Sequence, residues 1–265
     1  MIHPTALIHA DAQIDPSASI GPYVIIDGPA KIGPGAKVEA HAQLVGDVTI
    51  GSGTTIGRAA IIGGDPQDLS FKPETASGVI IGENNVIREH VTIHRATKPG
   101  TFTTVGNKNY IMASVHFAHD VQIGNNNVIA NAALFAGHVQ VGDRCVVGGG
   151  AVFHQFIRLG SYCVVQGNAG LSMDMPPYCC AAGINTLTGL NIIGMRRSGL
   201  NAGDRAAVKS IFDLVFRSGL NLTQARSAIA QREWPDVCQS FIDFINASSR
   251  KGICRLRARG NSDDE

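Results

Sequence analysis

Two histidines and an aspartate stand within five positions of residues 114–124, SVHFAHDVQIG, in a chain otherwise rich in small apolar residues. Histidine has an unperturbed pKa of about 6.5 and can accept a proton at neutral pH. Asp120 directly follows His119, so its carboxylate can fix the tautomer of the imidazole and stabilise the protonated ring, as in a catalytic triad. No Ser, Thr or Cys beside them is placed as an obvious nucleophile. The stretch therefore indicates a general base that acts on a substrate hydroxyl.

A six-residue repeat positions this stretch. Every sixth residue is apolar in three runs: Ile2 to Ile62, Ile81 to Ile93, and Val105 to Leu171. An α-helix would show a period of 3.6 residues and a strand a period of 2, so neither explains a lasting period of six. We interpret each hexad as one short strand and its corner, with three hexads in each coil of a triangular solenoid. The sequence predicts a mostly β solenoid over residues 1–190, with loops inserted at about 65–78 and 94–104.

Residues 18 apart should then lie on adjacent coils, separated by about 4.8 Å as neighbouring strands are. Phe117, Phe135 and Phe153 form one such series. Four of the nine histidines, with Gln155, flank this series and are predicted to gather on one edge of the solenoid: His116, His119, His138 and His154.

The pattern changes after about residue 190. GDRAAVKSIFDLVFRSG, residues 203–219, has the i, i+3, i+4 apolar spacing of an amphipathic helix and closes at Gly219. LTQARSAIAQRE and WPDVCQSFIDFINAS follow as two more predicted helices. We expect a helical C-terminal domain over residues 191–255 and a flexible tail over 256–265.

Composition excludes several functional classes. The net charge of +1 predicts no bulk affinity for nucleic acid. The first residues lack the pattern of a signal peptide, and no apolar run approaches the roughly 18–20 residues that span a bilayer. The six cysteines show no metal-binding spacing. We therefore expect a cytoplasmic protein without membrane insertion, bound metal or cofactor.

Several short motifs, in chain order, carry a resemblance to a known family: GGDPQDL, VTIHR, HFAHD, NxxIAN, LFAGHV, FHQF, MPPY and GLNIIGMRR. In this order they resemble the UDP-N-acetylglucosamine O-acyltransferases that begin lipid A biosynthesis. The resemblance implies a left-handed parallel β-helix with a C-terminal α-helical domain, assembled as a homotrimer with active sites between neighbouring solenoids. It also implies transfer of an (R)-3-hydroxyacyl chain from acyl carrier protein to the 3-hydroxyl of UDP-N-acetylglucosamine.

The resemblance further implies roles for single residues. His119 would be the general base, Asp120 its orienting partner, and the Gly137 N–H the donor that stabilises the oxyanion. Gln67 and Asp68 would hold the glucosamine unit, and Lys72 would replace the lysine that the family often has where this chain has Ser70. The remaining substrate contacts are expected from His116, His138, His154, Gln155, Asn191, Arg196 and Arg197. Gly167 would leave the acyl groove open for a longer chain.

Three alternatives remain open at this stage. A 3-amino UDP-sugar could replace the hydroxyl acceptor and give an amide product. His116, His119 and His138 could hold a metal ion in a hydratase-like enzyme of the same fold. A non-catalytic β-helix scaffold would need no histidine cluster.

Overall fold

The computed structural model describes residues 1–257, in which short strands wind into a triangular solenoid that is followed by helices. Within these residues the strands form three sheets, one on each face. The first sheet contains the strands Leu7–Ile8, Ile25–Asp27, Gln43–Val45, Ile61–Gly64, Thr92–His94, His116–Phe117, Leu134–Phe135, Val152–Phe153 and Gly170–Leu171. The second contains Gln13–Ile14, Lys31–Ile32, Asp47–Ile50, Gly78–Ile81, Phe102–Val105, Gln122–Ile123, Gln140–Val141 and Arg158–Leu159.

The third sheet continues from the solenoid into the C-terminal region. Its strands are Ser19–Ile20, Lys37–Val38, Thr55–Ile56, Val86–Ile87, Tyr110–Ile111, Val128–Ile129, Val146–Val147, Val164–Val165, Cys179–Ala182, Thr186–Leu190 and Arg255–Leu256. In the part of the chain that the structure describes, all strand pairs are parallel except that between Cys179–Ala182 and Thr186–Leu190, which is antiparallel and closes the solenoid.

The strand register confirms the 18-residue coil. Phe117 pairs with Phe135, and Phe135 pairs with Phe153, all on the inner side of the first sheet. The ring centroids are 5.0 and 4.4 Å apart, and all three side chains are buried. The neighbouring position of each strand points outward, so His116, Leu134 and Val152 lie in one row on the surface of this sheet. This row is the surface on which a ligand can be held.

The first inserted loop leaves the solenoid between Ile61–Gly64 and Gly78–Ile81. Arg95 binds this loop through its side chain. Its guanidinium donates to Asp65 Oδ1 and to the carbonyl oxygens of Pro73 and Thr75, and lies 4.8 Å from the centroid of the Phe71 ring. A charged side chain that is only 13% exposed therefore fixes a loop that has no strand of its own.

The helices follow the closing hairpin: α1 over Ile192–Arg197, α2 over Ala202–Phe216, α3 over Leu222–Ala230, a 3₁₀ turn over Asp236–Cys238 and α4 over Gln239–Asn246. Asn191, Asn201 and Asn221 cap the first three by accepting a backbone N–H. The predicted pattern did not include α1. The third predicted helix is interrupted, because Pro235 precedes a 3₁₀ turn before α4 begins.

The expected tail is shorter than predicted. Arg255–Leu256 forms a strand that pairs in parallel with Thr186–Leu190, and the Arg257 N–H donates to the Leu187 carbonyl. The chain therefore returns to the end of the solenoid instead of leaving it at residue 256. The rest of the predicted tail, residues 258–265, lies outside the described residues. Among the described residues, none of the helices is long and apolar enough to cross a membrane.

Candidate active site

A cleft of about 700 Å³ lies on the outer surface of the first sheet. Its floor is the outward row that runs from His116 through Leu134 and Val152 to Gly170. The solenoid corner, the inserted loop and the closing hairpin supply its walls. The other lining residues are Gln67, Ala118, His119, Phe135, Ala136, Gly137, Phe153, His154, Gln155, Leu171, Ser172 and Ile184. The cleft thus joins a histidine-rich corner to an apolar floor.

His119 and Asp120 form a hydrogen-bonded pair at this corner. Asp120 Oδ2 lies 2.8 Å from His119 Nδ1, and the two side chains are only 15% and 13% exposed. Because a carboxylate accepts only, the bond assigns the proton to Nδ1 and leaves Nε2 as the basic nitrogen. His119 lines the cleft, so the pair is arranged as a general base and its orienting carboxylate.

Two threonines hold Asp120 in place. Thr97 donates to Asp120 Oδ2 from its hydroxyl at 2.7 Å and from its backbone N–H at 3.2 Å, while Thr103 Oγ1 accepts the Asp120 N–H at 2.9 Å. Burial raises the pKa of Asp120, but the hydrogen bonds from His119 and Thr97 outweigh it, so the pKa of Asp120 is lowered overall. Asp120 is therefore a carboxylate at neutral pH. Neither threonine was predicted from the sequence as a site residue, although both lie in the predicted break at 94–104.

Gly137 packs directly against the His119 ring. A Cβ atom at this position would lie 2.4 Å from His119 Cε1 and 2.7 Å from Nε2. Only glycine fits there without moving the imidazole. Within residues 1–257 no acceptor takes the Gly137 N–H, as is common at the corners of this solenoid. The N–H is therefore available to a ligand beside the base.

His116, in the floor of the cleft, packs against His94. Thr92 Oγ1 lies 2.7 Å from His116 Nδ1, and burial lowers the pKa of His116. His94 meets His116 edge to face with ring centroids 4.8 Å apart, and its buried Nδ1 has no hydrogen-bond partner among residues 1–257. Burial, together with His116 and His119, lowers the pKa of His94 to about 4. His94 was not predicted from the sequence as a site residue, although it belongs to the VTIHR motif.

His138 lies at the same corner but faces another cavity. Its Nε2 is 3.7 Å from Asp120 Oδ2, and its ring stacks on Phe156 with centroids 4.5 Å apart. Burial lowers the pKa of His138, and the attraction of Asp120 does not reverse that shift. The structure thus brings His138 to the Asp120 carboxylate and not to the cleft that His116, His119, His154 and Gln155 line.

The inserted loop contributes unevenly to the cleft. Gln67 lines it, whereas the Asp68 carboxylate accepts hydrogen bonds at 2.8 Å from the N–H and hydroxyl of Ser70. The hydrogen bond from the Ser70 N–H and, to a smaller extent, that from its hydroxyl lower the pKa of Asp68. Lys72 is exposed on the same loop.

The remaining predicted site residues do not reach the cleft of their own chain. Asn191 accepts the Gly194 N–H and donates to the Tyr162 carbonyl, so it caps α1. Arg196 and Arg197 are exposed in the last turn of that helix, where cations offset its dipole. Gly167 is exposed at the corner that precedes the cleft strand Gly170–Leu171.

Three side chains at the corner are close enough to hold a metal ion. One ligand atom each from His119, Asp120 and His138 lies within 4.8 Å of the others. The set differs from the predicted one, because Asp120 takes the place of His116. In the structure Asp120 Oδ2 is already the acceptor for His119 and Thr97, so a metal ion would have to replace those bonds.

Comparison with known proteins identifies the family. A model described as domain 2 of the UDP N-acetylglucosamine O-acyltransferases matches residues 174–254, and a bacterial transferase hexapeptide model matches residues 102–137. An acyl-[acyl-carrier-protein]–UDP-N-acetylglucosamine O-acyltransferase of Paraburkholderia phymatum is 42% identical over 261 residues, covering 96% of this chain and 99% of the relative. This chain belongs to the UDP-N-acetylglucosamine O-acyltransferase family.

Other members agree in sequence and in fold. A similarly named relative from Thermodesulfovibrio yellowstonii is 43% identical over 258 residues, with 96% of this chain and 99% of the relative covered. The crystal structure of the Francisella novicida UDP-N-acetylglucosamine acyltransferase superposes with a TM-score of 0.92 at 35% identity, covering 98% of this chain and 95% of that one. The Acinetobacter baumannii structure gives a TM-score of 0.91 at 37% identity, with 96% and 99% covered. The fold is accordingly a left-handed parallel β-helix with C-terminal helices, as predicted.

Proposed function

We propose that this chain transfers an (R)-3-hydroxyacyl group from acyl carrier protein to the 3-hydroxyl of UDP-N-acetylglucosamine, the first step of lipid A biosynthesis. One observation carries the proposal: a hydrogen-bonded His119–Asp120 pair stands at the wall of a cleft with an apolar floor. The pair supplies a base for the hydroxyl, and the floor suits an acyl chain. Family membership supports the identity of both substrates.

The reaction needs one proton carrier. His119 Nε2 takes the proton of the sugar hydroxyl while the oxygen attacks the thioester carbonyl carbon. The resulting oxyanion accepts the Gly137 N–H, and a donor of this kind contributes about 2.7–4 kcal/mol elsewhere. The intermediate then collapses: the carbon–sulfur bond breaks, and the leaving thiolate takes the proton from His119. Asp120 stabilises the imidazolium in between, and a positioned base contributes about 10²–10⁴ in rate.

The acyl chain would lie along the outward row of the first sheet. Leu134 and Val152 are both more than 40% exposed there, so the cleft floor presents apolar side chains to a ligand. Gly170 and Ile184 continue the row and pair with one another through a parallel bridge. A ligand chain of methylene groups would cover these side chains and remove their surface from water.

We include a homotrimer in the proposal. Asn191, Arg196, Arg197 and Gly167 lie away from the cleft of their own chain, so they can meet a substrate there only across a subunit boundary. In this arrangement Asn191 and the two arginines would approach the nucleotide, while Gln67, Asp68 and Lys72 would hold the sugar. We also propose that the reaction takes place in the cytoplasm, a location compatible with two water-soluble substrates.

A turnover assay read by mass spectrometry tests this proposal. Purified protein receives either UDP-N-acetylglucosamine or its 3-amino analogue with 3-hydroxyacyl carrier proteins from C10 to C16, alongside His119→Ala. One dominant ester product that the variant does not form is the expected result. If only the amino sugar reacts and gives an amide, the acceptor is an amine and not a hydroxyl. If neither sugar gives a product, the proposed acyltransferase activity is contradicted.

A further inference from the structure

The first inserted loop is hydrogen-bonded to the rest of the protein through one side chain. Among the described residues, every hydrogen bond between residues 65–75 and the rest of the chain comes from Arg95. Its guanidinium donates to Asp65 Oδ1 at 2.9 Å, at the start of the loop, and to the carbonyl oxygens of Pro73 and Thr75, both at 2.7 Å, near its end. One planar fork of donors therefore joins the two ends of the loop.

Water reaches these contacts poorly. The Arg95 side chain is only 13% exposed, and its guanidinium carbon lies 4.8 Å from the centroid of the Phe71 ring. A charged donor in such surroundings forms stronger hydrogen bonds than one in open water. Pro66 is buried, so the start of the loop also packs against the protein. Arg95 is therefore the polar anchor of this loop.

Arg95 belongs to the segment that also holds the carboxylate of the proposed catalytic pair. Thr97, two residues later, donates to Asp120 Oδ2 from its hydroxyl at 2.7 Å and from its N–H at 3.2 Å. Two side chains of one short segment thus bind the first inserted loop and the partner of His119. The segment consequently fixes where the loop lies relative to the His119–Asp120 pair.

Residues 67–70 form the tip of the loop and face the cleft through Gln67. Leu69 is fully exposed at this tip. The Asp68 carboxylate accepts its hydrogen bonds from the N–H and hydroxyl of Ser70. These bonds give the tip its shape but do not tie it to the solenoid. Its place over the cleft therefore depends on how Arg95 holds the rest of the loop.

We propose that Arg95 is a positioning residue of the transfer reaction, which holds the first inserted loop so that Gln67 stands over the cleft. The assignment rests on the proposed function, in which residues of this loop hold the sugar. Arg95 does not itself line the cleft, so it acts through the loop. Without this anchor the loop populates other positions. The sugar nucleotide then binds only the molecules whose loop is in place, and its apparent affinity falls by that fraction.

Steady-state kinetics on the full-length protein compare Arg95→Gln with the control Arg88→Gln. The exposed Arg88 side chain donates to Glu89 and to Tyr110 Oη, on the surface of the third sheet. If at most about one molecule in ten holds the loop in place, Arg95→Gln raises the KM for UDP-N-acetylglucosamine about tenfold or more. The KM for acyl carrier protein, and both KM values of the control, should stay unchanged. Arg95→Lys keeps the charge but not the planar fork, so it should restore only part of the affinity.

Hydrogen exchange read by mass spectrometry follows the loop without any turnover. Residues 65–75 should exchange faster in Arg95→Gln than in the wild-type protein or the control, because their anchor is lost. Equal loop exchange in all three proteins would overturn the proposal, and so would an unchanged KM for the sugar nucleotide. A loss of kcat with both KM values unchanged would also overturn it, because a merely structural residue behaves in that way. If the wild-type protein turns over neither sugar, the proposed function fails and this role fails with it, whereas failure of this role alone leaves wild-type turnover intact.

Discussion

Asp120 Oδ2 lies 2.8 Å from His119 Nδ1, although the two residues are neighbours in the chain. The solenoid corner makes this contact possible. Asp120 has a left-handed backbone with φ of 59°, which aspartate tolerates better than most residues, and the same corner conformation recurs at Ala132 and His138. Thr97 then fixes the carboxylate from the second inserted loop. One corner of a regularly packed repeat thus carries the proposed catalytic pair.

Replacing Asp120→Asn should reduce kcat about a hundredfold or more, with little change in KM. The amide has nearly the same shape as the carboxylate but cannot stabilise the imidazolium by charge. Steady-state kinetics on both substrates measure the effect. Thr97→Val removes one hydroxyl donor to the carboxylate but leaves the carboxylate charged, so it should reduce kcat much less than Asp120→Asn does. An Asp120→Asn enzyme with the wild-type kcat would contradict the role of this residue.

Gly137→Ala should abolish most activity while the protein remains folded. The new Cβ atom would stand 2.4 Å from His119 Cε1, so the imidazole must leave its position beside Asp120. The matched control is Gly149→Ala at another corner, where the nearest atom is the Asn131 carbonyl oxygen at 3.2 Å. Turnover and thermal unfolding are measured on both. Full activity of Gly137→Ala would show that the base does not need its present position.

Substitutions at two glycines test which residues limit the length of the acyl chain. Gly170→Met adds a side chain to the cleft floor of its own chain, where a Cβ atom would make an ordinary 3.6 Å contact with Val152. The product distribution should therefore shift to shorter chains. Gly167→Met should do the same only if a neighbouring solenoid brings that corner to the groove, as the proposed trimer requires. Unchanged products from Gly170→Met would show that the chain does not follow this row.

His94 should make folding stability depend on pH. Its pKa is about 4 in the folded protein, against about 6.5 in the unfolded chain, so the unfolded state binds more protons between these values. The contribution of His94 to folding stability is therefore fully present above pH 6.5 and is lost as pH decreases toward 4, by up to about 3 kcal/mol. Urea unfolding at pH 7 and pH 4.5 measures this. His94→Gln should make the free energy of unfolding depend less on pH. An equal pH dependence in both proteins would contradict this role of His94.

Metal removal should leave activity intact. In the proposed reaction His119 Nδ1 binds Asp120 and not a metal ion. Dialysis against a chelator followed by the turnover assay checks this, and elemental analysis of the untreated protein accompanies it. Activity that is lost on dialysis and restored by zinc would favour the metal-dependent alternative at His119, Asp120 and His138.

The sequence by itself determined the solenoid. An apolar residue at every sixth position can be buried throughout only if three short strands make one coil, and this fixes which side chains share a row. The row of Phe117, Phe135 and Phe153, and the placement of His116 and His119 at its edge, follow from that period. The neighbouring carboxylate of Asp120 was also visible, because it needs no tertiary information.

Only the tertiary structure decided which groups meet across breaks of the period. His94 contacts His116 because the second inserted loop lengthens one coil, so the two partners are not a multiple of 18 residues apart. Thr97 reaches Asp120 from that loop, and Arg250 reaches Phe156 from the segment after α4. Such contacts depend on the path of irregular backbone, which leaves no period in the sequence. The position of a repeat residue follows from counting, whereas the position of a loop residue follows from the contacts that hold the loop.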